Sequence, residues 1–164
     1  MGQIANIIKN PPWDAVLVFM IVVAGFFWGV TEGKKKLSLV IVGIYILHAI
    51  FPFVPFNGIL AGRSPEEIWM FKAIAFFIAL VILLLFLMRT FKGAVTKGEG
   101  AWWEILLLSL LAAGLFIVSL ASLAPSEVFQ NNALGLSSML INFFTSPSLT
   151  PWLVALPILG ILFF

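Results

Sequence analysis

The stretch AVLVFMIVVAGFFWGVTEGKKKLSLVIVGIYIL, residues 15–47, decides the fold. It holds an uncharged run, then Glu32 and three consecutive lysines, then a second uncharged run. Neither run alternates polar with apolar residues, so neither reads as a strand of a membrane barrel. Each is continuous and long enough to cross a bilayer as a helix, the one open-chain form that satisfies its own backbone in lipid. Three of the nine basic residues sit in the short link between them.

The whole composition agrees. Of 164 residues, 62% are hydrophobic and 10% charged, against roughly half and a quarter in soluble domains. Mean hydropathy is +1.16. So small a chain has too much surface to hide that much apolar matter from water. The net charge of +2 is too small to imply nucleic acid, and with no cysteine there is no disulfide or thiolate site. No cleavable leader is expected at the N-terminus, because the first apolar run lacks a small-residue cleavage site.

The fold expected is an all-α integral membrane protein with four transmembrane helices, spanning about 13–30, 37–56, 68–88 and 102–124. The first starts at Asn10-Pro11-Pro12-Trp13-Asp14, with an N-cap, prolines in the first turn and an anion near the helix start. The second is expected to lose regular helix near Phe51, because Pro52 and Pro55 remove backbone donors. The third opens on Ser64-Pro65-Glu66-Glu67 and ends on a basic stretch, with Lys72 near enough to its start to snorkel outward. The fourth begins at the interfacial pair Trp102 and Trp103 and ends before Pro125.

Two segments follow. Residues 126–146 carry Phe129, Ala133, Leu136, Leu140, Phe143 and Phe144 at helical spacing, with Asn131, Ser138 and Asn142 on another face. They read as an amphipathic helix at the outer surface whose uncharged polar face meets protein. The tail, 151–164, is apolar but too short to span and contains Pro157. A re-entrant or interfacial segment broken at the proline is expected.

Six of the nine basic residues fall in two connections, Lys34, Lys35 and Lys36 in one and Arg89, Lys92 and Lys97 in the other. Four spans put both connections on one side, and basic loops collect in the cytoplasm. The lysines are thus read as topology anchors in contact with anionic headgroups, with the N-terminus outside. Gly25, Gly29 and Gly33 recur every fourth residue, a face that lets another helix approach closely. Ser109, Ala112, Ala113 and Gly114 on the fourth span are its expected partner within the chain.

Chemistry is sparse. His48 is the one histidine, so a multi-histidine metal site within one chain is excluded, and no nucleophile elbow or phosphate loop is present. Intramembrane polar residues invite functional readings, and Asp14, His48, Asn131 and Asn142 are the candidates. The simpler readings are helix-start electrostatics at the outer surface for Asp14 and a backbone-bonded neutral ring for His48. No catalytic set, metal or cofactor is expected; the partners are the bilayer and either a second copy or other membrane proteins.

Asp14, Gly25 and Gly29, the EGKKK turn, Leu37-Ser38-Leu39, the VTKGEGAWWEILLL connection and the segment from Ser126 together resemble the colicin V production protein family over roughly residues 13–146. That resemblance implies a small multi-pass protein of the bacterial inner membrane linked to toxin production or secretion and to envelope maintenance. The competing expectation is a subunit of an oligomeric channel or transporter lined by Asn131, Asn132, Ser138 and Asn142.

Overall fold

The computed structural model describes residues 13–60, 62–91, 101–125, 127–128, 146 and 149–163. The fold is all-α, with no strand among the described residues. Four helices are long and apolar enough to cross a membrane. They are α1 (Trp13–Glu32), α2 (Lys34–Ile50), which continues through a 3-10 turn at Phe51–Phe53, α4 (Pro65–Thr90) and α5 (Trp102–Ser122). A single helical turn, α3 (Phe56–Ile59), follows α2, and α6 (Thr150–Phe163) closes the described chain. The expected amphipathic helix, with Asn131 and Asn142, lies outside the described residues, as do Lys92 and Lys97.

The local chemistry explains most boundaries. Ser64 caps α4 by accepting the Glu67 N–H at 3.3 Å, Pro65 opens the helix, and Glu66 and Glu67 sit in its first turn where the dipole favours anions. Helix α2 gives way at Ile50 because Pro52 and Pro55 follow, leaving an irregular apolar corner. At 26 residues, or about 39 Å, α4 exceeds the roughly 30 Å hydrocarbon layer and must tilt or protrude.

The link between α1 and α2 differs from expectation. Only Gly33 separates them, with φ 92° and ψ 158°, a backbone region essentially reserved for glycine. Its N–H closes α1 on Gly29 O at 2.8 Å. Lys34, Lys35 and Lys36 are therefore not in a loop; they form the first turn of α2. Gly33 is the turn itself rather than a third position of the packing face.

Helix α5 is the centre of the bundle. It packs against α1, α2 and α6, while α4 lies on α2. Lipid is as apolar as leucine, so close fit rather than water exclusion joins these helices. Glycine supplies the fit. A Cβ on Gly25 would lie 3.6 Å from Ser109 Cβ, and one on Gly29 only 2.7 Å from Ile105 Cγ2. The glycine face thus meets α5 of the same chain. Its partners are Ser109 and Ile105; Gly114 instead faces Leu153 of α6, and Ala113 is buried. Gly43, unmarked in the sequence reading, does the same work between α2 and Leu80 and Leu84 of α4.

Pro157 does not break the tail. It lies inside a continuous 14-residue helix. Leu153 lies by Gly114, whereas Gly160 lies by Leu111 and Leu108, so α6 runs antiparallel to α5 toward the lysine-bearing end. Its length is about 21 Å, short of a full crossing. It stands along α5 instead of lying across the end of the bundle, which fits the re-entrant alternative and not the interfacial one.

Candidate functional site

The polar groups of the bundle fall at three levels. At the lysine-bearing end, three cations crowd a helix start, where the macrodipole opposes them. Carboxylates offset this. Lys34 Nζ contacts Glu104 Oε2 at 2.8 Å with both side chains largely covered, and Lys36 pairs with Glu32. Glu104 lies in the first turn of α5, where a negative charge is favoured. The pair Lys34–Glu104 therefore ties the α1–α2 turn to the start of α5. Arg89, exposed in the last turn of α4, carries its charge at the dipole end that suits it. The lysines contribute packing at this end as well as charge asymmetry.

The middle of the bundle shows why α6 survives its proline. Pro157 has no N–H and its ring displaces the preceding turn, which loosens the ladder around Leu153 and Val154. The Tyr45 hydroxyl of α2 donates to Val154 O, in the turn before Pro157. Tyr45 is the only tyrosine of the chain. Ser109 and Ser119, both buried, donate to Ile105 O at 2.7 Å and Leu115 O at 2.8 Å. Such back-bonding keeps a hydroxyl satisfied where no water reaches.

The opposite end gathers the remaining polar groups. Asp14 is 3% exposed, with Oδ1 accepting the Ala15 N–H at 2.9 Å; it is buried rather than facing open surface as expected. The Trp69 indole donates to Leu120 O at 3.2 Å, joining α4 to α5. Arg63 lies 3.9 Å from Glu67 and 5.3 Å from the Phe71 ring centroid. The His48 ring is half-buried, and its Nδ1 has no hydrogen-bond partner among the described residues, so the backbone-bonded reading does not hold for that atom.

A cavity of about 280 Å³ opens here, lined by Phe51, Pro52, Val54, Phe56, Lys72, Ser122 and their neighbours. The prolines hold its wall clear of regular helix. Lys72 shares a helix face with Phe76, which is 0% exposed, so this face of α4 turns toward the bundle and not the lipid. The sequence places Lys72 near enough to the helix start to snorkel outward; the folded corner instead sets it on a cavity wall. Asp14, His48 and Lys72 all belong to this half of the bundle, yet no group of three or more His, Cys, Asp or Glu side chains fit to hold a metal occurs among the described residues.

No family model, curated protein or solved structure matches this chain.

The site has the Lys72 ammonium, which makes no ion pair among the described residues, beside an aromatic and proline wall at one end of a tightly packed helical bundle.

Proposed function

We propose that the chain is an accessory or scaffold protein of the bacterial inner membrane, in the manner of the colicin V production protein family, serving toxin production or secretion or envelope maintenance. Its lysine-bearing end faces the cytoplasm, by the bias of basic residues toward that side, and its N-terminus lies outside. The observation that carries this reading is how the interior is used. A water path through one chain would have to run where Ile41, Phe76, Leu115 and Ser119 stand with 0% exposure. The buried polar atoms of Tyr45, Ser109 and Ser119 bond helix backbones. Both features support a rigid body that binds and holds partners over a conduit within one subunit.

The competing reading is an oligomeric channel, in which several copies line a pore with residues such as Asn131 and Asn142. The two differ in stoichiometry. Detergent-corrected mass of the purified protein is expected to give a monomer or dimer. A closed ring of many copies would overturn the scaffold reading in favour of the channel.

A further inference from the structure

We propose that the cavity at Lys72 is a binding site for the phosphate of an anionic phospholipid headgroup. The proposal rests on the reading of a membrane-embedded binding protein and names a ligand for it.

Lys72 is the only charge in residues 68–88. It lies seven residues into α4, roughly 10 Å from the helix start. The residues one turn away on its face are Ile68 and Phe76, so no carboxylate meets it at i−4 or i+4. Among the other described basic side chains of this end, Arg63 has both Glu67 and Phe71. Lys72 has no ion pair among the described residues. An ammonium at that depth is costly unless an anion or water meets it, and here it lines a cavity instead of facing lipid.

The cavity narrows the chemistry of the anion. Its volume of about 280 Å³ is just under the ~300 Å³ at which pockets for whole small molecules begin, so it takes a headgroup and not an entire amphiphile. Ser122 also lines it, its hydroxyl already donating to Ser119 O at 2.7 Å, so Lys72 supplies the charge that the site offers an anion, and the side chains of Phe51, Val54, Phe56 and Leu123 complete the wall. Beneath it, Phe76 and Phe51 close the interior, with ring centroids 5.1 Å apart. Acyl chains therefore cannot follow the headgroup inward. They leave over the rim, where Phe53 is 86% and Ile50 53% exposed. At this depth of a bilayer the anion at hand is the headgroup phosphate, which a lysine binds as a point charge.

The test uses the full chain, purified in detergent and offered phosphatidylglycerol or phosphatidylcholine at equal concentration, with bound lipid counted by native mass spectrometry. The wild type is expected to retain one phosphatidylglycerol with about 10-fold preference, because both lipids offer a phosphate to Lys72 but only phosphatidylcholine brings a choline cation against its ammonium. Lys72→Gln should lose the preference and Lys72→Arg should keep it. Lys36→Gln, at the other end, should also keep it. If Lys72→Gln fails to fold, Val54→Trp, which fills the cavity from its wall, should abolish the preference in its place. An unchanged preference in a folded Lys72→Gln or Val54→Trp protein overturns the site. Displacement of the lipid by millimolar glycerol 3-phosphate would overturn the lipid as the source and leave a soluble phosphate ester. These readings count lipids per chain. The scaffold reading is tested by chains per particle, so either can fail alone.

Discussion

Gly29→Leu is expected to lower the melting temperature in detergent by about 2–12 °C, the effect of roughly 1–3 kcal/mol of overpacking in a chain of this size. The reason is geometric. A Cβ alone at Gly29 would approach Ile105 Cγ2 to 2.7 Å and Leu37 Cδ2 to 3.2 Å. Leu37 Cδ2 is the end of a flexible side chain, but Ile105 Cγ2 is fixed to a branched Cβ, so even alanine requires α1 and α5 to shift slightly apart. A leucine needs volume that exists only if α1 moves off α5. That seam also carries Gly25, where a Cβ would make ordinary contact with Ser109 Cβ at 3.6 Å. Gly25→Ala should therefore melt close to the wild type. Thermal denaturation followed by circular dichroism reads both variants. An unchanged transition for Gly29→Leu would mean that the seam is not a closely packed interface.

Phe76→Ala is expected to destabilise by about 2–3 kcal/mol, below the 3–5 kcal/mol typical of water-soluble cores. The ring is 0% exposed. It meets Phe51 nearly edge-on, at 75° and 5.1 Å, and Phe116 at 6.1 Å, so it joins α4 to both α2 and α5. The lower figure follows from the solvent. When helices separate in lipid, the ring passes into hydrocarbon instead of water, so the transfer term largely vanishes. What remains is the cavity and the lost aromatic contact. The neighbouring Phe77 is 57% exposed and touches the bilayer, so Phe77→Ala should be nearly silent. Equal losses at the two positions would contradict the packing of α4.

Helix existence was legible in the sequence because lipid demands it: continuous apolar runs have few other structures open to them. The start of α4 was legible too, since Ser64, Pro65 and the two glutamates act within one turn. Contacts across the chain were not. The proline of α6 predicted a break, and the Tyr45 hydroxyl that meets a carbonyl of the turn before it lies 109 residues away in sequence. The lysines read as a loop because a link between spans usually needs several residues, whereas Gly33 turns the chain alone by adopting a positive φ of 92°. The spaced glycines named a packing face, and Ser109 was found opposite it. The periodicity could not show that α5 lies at the centre or that Gly114 serves α6. At the candidate site, Lys72 was read only as a residue able to snorkel from near the helix start. Its cavity depends on how the Pro52–Pro55 corner folds against Ser122 and Leu123, which no local pattern encodes.

The proposed topology puts the lysine-bearing end of the multi-pass bundle in the cytoplasm. The chain has no cysteine, so single cysteines report without background. One placed at Lys35, in the first turn of α2, and one at Ser64, the exposed cap of α4, sit at opposite ends of the bundle. In intact cells whose outer barrier has been opened, an impermeant maleimide is expected to label Ser64→Cys and to spare Lys35→Cys until the membrane is permeabilised. Labelling of Lys35→Cys with protection of Ser64→Cys would invert the topology, and labelling of both in intact cells would contradict a membrane-spanning α2 altogether.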